Sequence, residues 1–339
     1  MSPLRPVRGD HRAVIESVRA WLAEADPEPL VVETSGSTGE PKGVELSRPA
    51  VVASATATHA RLGGAGSWLL ALPATYVAGL QVVVRSLLAG AEPVVVDEHD
   101  SWSAAVDAAG PGRRYASLVP TQLARLLSDA DATRALSRLD ALLLGGGPID
   151  RGLRRRAEDA GVRVVATYGG SETAGGCVYD GVPLDGVDVD LEADGRIRLS
   201  GPMLFDGYEG EPERTAEVLV DGWFRTSDLG RLTEGRLEVL GRIDDVVLSG
   251  GVNVPTPAVA RRLREHLGVE AVEVLGVPDE TWGERVVAFL VGDLSLDDAR
   301  DWVSVVHPRE WAPRQVVTLD ALPLLANGKV DRTRLRELA

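Results

Sequence analysis

Of the 36 lysines and arginines in the chain, only two are lysine, Lys42 and Lys329. Lysine carries a compact point charge on a flexible stem, whereas arginine presents a planar fork, so the two do not substitute for each other where a single charge must meet a reacting group. Lys42 closes the stretch "SGSTGEPKG" (35–43), which directly follows the apolar run "LVVET" (30–34). A loop of small residues after a strand can turn backbone N–H groups toward a phosphate, and its hydroxyls add donors. It is not a P-loop of the form G-x-x-x-x-G-K-[ST], because Pro41 separates Gly39 and Glu40 from Lys42, and Gly43 follows. A flexible Ser/Gly turn reads the same letters equally well. Lys329 lies in "PLLANGKVDR" (323–332), where Asn-Gly forms a turn. Taken alone, a solvated lysine after that turn is the simpler account, and the arginine excess itself is explained by genome composition.

The composition narrows the field. At 339 residues the chain has room for one large domain and a small one, and its 44% hydrophobic content is that of a globular protein. Thirty-six basic against 51 acidic residues give a net charge of −15. That balance argues against nucleic acid, which needs clustered cations, and against anionic membrane surfaces. One cysteine, Cys177, rules out an internal disulfide and reads as a small buried residue. The five histidines are scattered without metal-ligand spacing. No run of about 18 apolar residues appears, so no membrane insertion is expected. "MSPLRPVRGDHRAV" has no apolar core like that of a signal peptide, so the expected localisation is cytoplasmic.

The elements that must position these groups follow from periodicity. Val14, Val18, Trp21 and Leu22 fall at helical spacing, which predicts an opening helix over 11–24. Short apolar runs then read as buried strands at 30–34, 68–72, 93–97, 115–120, 139–145 and 162–169, with helices at 78–89, 120–129 and 150–160. The alternation predicts an α/β fold with a largely parallel sheet covered on both faces. Beyond about residue 180, "LEADGRIRLSG" and "LTEGRLEVLG" place Asp-Gly and Glu-Gly turns between alternating strands, which predicts hairpins in a β-rich subdomain. After "GRIDDVVLSGG" (241–251) comes a mixed α+β tail, with helices near 255–266 and 297–304 and strands near 271–277 and 285–291. The expected domains are 1–243 and a small mobile domain 244–339.

Six motifs in order now resemble those of the adenylate-forming superfamily of acyl-CoA synthetases, peptide-synthetase adenylation domains and luciferases. They are "TSGSTGEPKG", "LLLGGGP", "YGGSETAGG", "GWFRTSDLGRL", "GRIDDVVLSGGVNV" and "PLLANGKVDR", spanning 34–332. Within it, "YGGSETAGGCVYDGVPLDGV" and "LVPTQLARLL" are similar to the 2-succinylbenzoate–CoA ligase family of menaquinone synthesis. Two departures stand out: the segment usual before the phosphate loop is nearly absent, and Tyr76 in "LPATYVAGLQ" replaces a common histidine.

The resemblance implies ATP-dependent adenylation of a carboxylic acid with release of pyrophosphate, followed by transfer of the acyl group to coenzyme A. Thr34, Ser35, Gly36, Ser37, Thr38, Gly39 and Lys42 would hold the ATP phosphates, and Glu172 would ligate Mg²⁺ beside Ser171. Gly145, Gly146, Gly147, Tyr168, Asp228 and Arg242 would receive adenine and ribose. Tyr76, Gly169, Gly170, Gly175 and Gly176 would line the acyl slot. Asp244 would be the hinge, and Ser249, Gly250 and Gly251 would face coenzyme A. Implied partners are a small carboxylic acid, ATP and coenzyme A, with a homodimer left open.

Bland readings stand beside these roles: a surface acid for Glu172, a core aromatic for Tyr168, an ion pair for Asp228 and Arg242. At the level of function, a ligase for another aromatic or short-chain acid, a loader of a separate carrier protein and a catalytically dead scaffold remain alternatives. No carrier domain follows residue 339, and every key charged residue is present. In the leading reading Lys329 lets two anions, carboxylate and α-phosphate, approach. Lys329→Ala is therefore expected to slow acid-dependent ATP–pyrophosphate exchange by about 10²–10³; an undiminished exchange rate would contradict that role.

Overall fold

A computed structural model describes residues 10–34, 42–323 and 330–339. Ser35, Gly36, Ser37, Thr38, Gly39 and Lys329 therefore lie outside the described residues. Contacts divide the chain into two compact units, one of Met1–Asp190, Arg198–Thr226 and Thr233–Leu237, the other of Leu191–Ile197, Ser227–Leu232 and Glu238–Ala339.

The chain enters through the helix His11–Ala23, capped by Asp10, whose carboxylate accepts from the Ala13 N–H. Its periodic residues Val14, Val18 and Trp21 are buried as their spacing required. Strands β1 (Leu30–Thr34) and β2 (Lys42–Leu46) then pair antiparallel, with Thr34 opposite Lys42. The short strand Gly207–Tyr208 joins the far side of β2 and sets Tyr208 opposite Val44. The stretch suspected of binding phosphate is thus the connection of a hairpin whose two ends are held side by side.

A seven-stranded sheet forms from β3 (Ser67–Leu70), β4 (Val94–Val95), β5 (Arg114–Leu118), β6 (Ala141–Leu144), β7 (Val164–Gly170), β8 (Gly175–Tyr179) and β9 (Val182–Pro183), in the order β4-β3-β5-β6-β7-β8-β9. From β4 to β7 the pairings are parallel, as the alternation of strands and helices predicts. At β7 the sheet turns antiparallel, through β8 to β9. The run expected as a strand over 93–97 pairs only at Val94–Val95, since a 3₁₀ turn, Val96–Glu98, ends it at the sheet edge.

Both faces of this sheet are covered. On one side Leu69, Leu118, Leu142 and Leu144 pack with Ala105, Val106, Ala135 and Leu136 of the helices Trp102–Ala108 and Ala130–Leu136. The helix Val77–Leu88 is buried along nearly its whole length, from Gly79 to Ser86. A helix so enclosed is expected to be apolar all round; this one carries Gln81, Arg85 and Ser86 into the interior.

The hairpin strands Asp188–Leu191 and Arg196–Ser200 form, as do Trp223–Thr233 and Arg236–Arg242, in one five-stranded sheet with Leu219–Val220. In the second unit, Val246–Ser249, Val252–Pro255, Gly283–Gly292, Val269–Asp279 and Gln315–Thr318 make another five-stranded sheet. Its core, with Val272, Val286, Ala288 and Leu290, is packed by Val259 and Leu263 of Thr256–Arg264 and Val303 of Leu296–Ser304.

Candidate functional site

A cavity of about 230 Å³ opens at the carboxyl ends of β5, β6 and β7, where β7 turns to meet β8. Ligands of open α/β sheets gather at such ends, beside a change in topology. Ser117, Gly145, Gly146 and Thr167 line it from the strand ends, Gly169, Gly170, Ser171, Gly175 and Gly176 from the β7–β8 turn, and Gln81 and Arg85 from the helix Val77–Leu88. Seven of the glycine and serine positions expected at the site thus share one cavity. Gly147, Tyr168 and Tyr76 are not among its lining residues.

Two glycines are needed for the strands to come this close. A side chain at Gly145 would begin 2.3 Å from the Thr167 hydroxyl oxygen. At Gly169, with φ 152°, it would begin 2.3 Å from the Gly175 carbonyl. The turn beyond is held by Thr173, fully buried, whose hydroxyl accepts from the Gly170 N–H at 2.9 Å and lies 2.7 Å from the Gly175 carbonyl. Ala174 follows at φ 46° with no glycine freedom, an αL residue whose carbonyl accepts from buried Ser54.

Arg85 is the unusual group. Its side chain is 3% exposed, its Nε has no hydrogen-bond partner, and no salt bridge reaches it among the described residues. The guanidinium carbon sits 5.0 Å from the Trp68 ring centre, a cation–π contact that offsets part of the desolvation. Burial pushes the Arg85 pKa down, opposed only by nearby Tyr179. His59 accepts the Trp68 indole N–H at 3.2 Å, and burial, then the charge of Arg85, push its pKa down to about 4. A neutral His59 is the ring that can stand beside Arg85 without repelling it.

A second cluster lies at the "SET" turn. Glu172 Oε1 accepts the Tyr208 hydroxyl at 2.9 Å. The Tyr208 ring has the Lys42 ammonium 5.6 Å from its centre and the Arg214 guanidinium at 5.5 Å. Lys42 and Glu172, assigned to phosphate and metal by resemblance, therefore meet through one tyrosine. Burial and the Glu172 carboxylate push the Tyr208 hydroxyl pKa up, so it remains a donor. Thr34 stands at the end of β1, beside Lys42.

In the second unit, Arg242 lies 4.0 Å from Asp228, at the limit of an ion pair. Asp244 is exposed within the 3₁₀ turn Ile243–Asp245. Gly250 and Gly251, at φ 59° and 80°, make the two-residue turn of the hairpin that begins with buried Ser249. The Arg314 guanidinium stacks on Trp282 there, 3.3 Å from its ring centre. Cys177 is 1% exposed and its thiol is pushed up to about 12 by burial, the chemistry of a packing residue.

Sequence reasoning missed Arg85 and Tyr208. Arg85 is one arginine among many, and only its position inside a largely apolar helix, "GLQVVVRSLL", where it is the one charged residue, marks it. Tyr208, in "FDGYEG", carries no signal until Gly207–Tyr208 pairs with β2.

The sequence profile of the AMP-binding enzyme family matches residues 24–209, and that of the AMP-binding enzyme C-terminal domain matches 259–329. The chain is 45% identical over 340 residues to a Mycobacterium tuberculosis protein named "Probable 2-succinylbenzoate--CoA ligase", covering 96% of this chain and 88% of the relative. It is 33% identical to the 2-succinylbenzoate–CoA ligase of Listeria monocytogenes, covering 91% of this chain and 69% of that one. Among solved structures it resembles the o-succinylbenzoate CoA synthetase of Bacillus subtilis in complex with its acyl-adenylate intermediate. There the TM-score is 0.71 and the identity 29%, over 91% of this chain and 68% of the other.

The His59 environment has a pH consequence. The unfolded chain protonates His59 below its ordinary value of 6.5, while the folded chain keeps it neutral down to about 4. Stability therefore falls as pH drops through that window and loses nothing further from this group below it. His59→Gln is expected to flatten the fall in urea midpoint across that window, and an unchanged pH dependence would contradict a neutral His59.

Proposed function

The chain belongs to the AMP-binding enzyme family, and on that premise we propose that it is an ATP-dependent acid–CoA ligase that activates 2-succinylbenzoate, a step of menaquinone biosynthesis. The relatives in Mycobacterium and Listeria support the substrate, and so does the Bacillus synthetase with its bound acyl-adenylate. The observation that carries the reading in this chain is Arg85. An unpaired buried charge costs several kcal/mol, so its retention calls for an anionic partner. 2-Succinylbenzoate brings two carboxylates, one to be activated and one left over. Arg85 is the group that takes the second.

The reaction joins two anions before it joins acid to thiol. A carboxylate oxygen attacks the α-phosphorus of ATP, the bond to the β-phosphate breaks, and pyrophosphate leaves. The resulting mixed anhydride is then attacked at its carbonyl carbon by the thiol of coenzyme A. AMP departs with the bonding electrons and the thiol proton is lost. Lys42 meets the outer phosphates, and Ser171 and the N–H groups of the β7–β8 turn meet carboxylate or phosphate oxygens. Asp228 receives the ribose hydroxyls with Arg242, and Tyr168 stacks on adenine. Lys329 offsets the repulsion between the reacting anions, and Asp244 is the hinge by which the C-terminal domain changes its task between the half-reactions.

The donor set at Glu172 fits Mg²⁺. Its Oε2 carries no hydrogen bond or ion pair among the described residues, and a hard oxygen of this kind is what the ion takes together with phosphates. When bound, Mg²⁺ supplies positive charge to the triphosphate as pyrophosphate forms. Glu172 is the residue that would hold it.

Acid-dependent ATP–pyrophosphate exchange tests the substrate. 2-Succinylbenzoate is expected to support exchange with kcat/KM at least about a hundredfold above benzoate or acetate, because a site with a buried charge rejects ligands that leave it unpaired. Coenzyme A is expected to turn the adenylate into a thioester identified by its mass. Exchange driven by a different acid and not by this one would overturn the assignment.

A further inference from the structure

Glu172 sits half-buried in a chain whose carboxylates are commonly matched by arginine: Glu92 with Arg19, Asp180 with Arg154, Glu238 with Arg231 and Arg261. No arginine pairs with Glu172 among the described residues. Its side-chain partner is neutral, the Tyr208 hydroxyl at 2.9 Å on Oε1. A neutral donor orients a carboxylate without cancelling its charge, and it occupies one oxygen only. The other, Oε2, keeps its lone pairs for a cation.

Tyr208 is itself fixed from several directions. Its backbone pairs with Val44 two residues beyond Lys42, and its N–H donates to the Thr215 hydroxyl at 2.9 Å. Its ring packs on Phe205 at 5.1 Å and stands 5.6 Å from the Lys42 ammonium. The ring is thus tied to the strand that leaves the phosphate hairpin, and the hydroxyl to the turn that leaves β7.

We propose that Tyr208 is a positioning residue that sets the Glu172 carboxylate in register with Lys42, so that the metal and phosphate ends of MgATP are received together. The proposal rests on the ligase reading above and deepens it. Tyr208 touches neither substrate nor metal; it acts through the orientation of Glu172.

Tyr208→Phe removes the hydroxyl while keeping the ring against Phe205 and Lys42, so the fold and the cation–π contact persist. Binding of ATP to the full chain is measured by calorimetry with and without Mg²⁺, for the wild type, Tyr208→Phe, Glu172→Gln and the double variant. The expected result is metal-free ATP affinity within about twofold of wild type in Tyr208→Phe, with the enhancement by Mg²⁺ reduced about tenfold, the effect of one hydrogen bond to a charged group. Adding Tyr208→Phe to Glu172→Gln is expected to change nothing further, because the two act as one unit. An undiminished Mg²⁺ enhancement in Tyr208→Phe, an equal loss with and without Mg²⁺, or no enhancement in the wild type would each overturn the proposal. Failure of the wild type to exchange pyrophosphate with any acid would instead sink the ligase reading, without touching this coupling.

Discussion

A guanidinium enclosed with no carboxylate beside it among the described residues is the constraint to which the rest of the site answers. Arg85 rides on a helix that is otherwise packed like core, with Val82, Val83 and Val84 beside it fully buried. Its charge cannot be left in such a place cheaply. Trp68 gives it a π face, and neutral His59 accepts the N–H of that same indole. Each neighbour lowers the cost without cancelling the charge. What remains is a cavity whose wall attracts an anion, in a protein whose net charge of −15 repels anions at large.

The same economy of charge governs the other cluster. Glu172 is held by a neutral hydroxyl, so it retains its charge for a cation that arrives from solution, and the Lys42 ammonium lies over the ring that bears that hydroxyl. Rigid supports do the holding: strand pairing for Lys42 and Tyr208, the Thr173 hydroxyl for the turn that bears Glu172. Preorganised charges of this kind need not rearrange when a reaction starts, which is where their catalytic value lies.

Much of this was legible in the sequence because periodicity reports burial. The runs "LVVET", "LDALLLG" and "VRVVATYG" became β1, β6 and β7, and the helices at 78–89 and 150–160 formed within a residue or two of their expected ends. Seven of the glycine and serine positions in the motifs line one cavity, because glycine is demanded wherever two strands approach closely. What stayed hidden depends on long-range pairing. The switch to antiparallel at β7, the addition of Gly207–Tyr208 to β2 and the burial of Arg85 involve partners that local letters do not name. Tyr76 shows the converse: its place in a motif suggested a pocket wall, and it stands half-exposed at the head of its helix, outside the cavity lining.

The most direct test of the account is the dependence of acid selectivity on Arg85. Arg85→Met keeps an unbranched side chain in the helix and removes the charge, a replacement that folded proteins often tolerate because the desolvation cost goes with it. kcat/KM for exchange is compared for 2-succinylbenzoate and for analogues lacking one or the other carboxylate. The account predicts a loss of about a hundredfold or more for the dicarboxylate, with little change for whichever monocarboxylate analogue is still activated, since only the former pairs with the missing charge. Equal losses for all the acids, or an unaltered preference for the dicarboxylate, would contradict it.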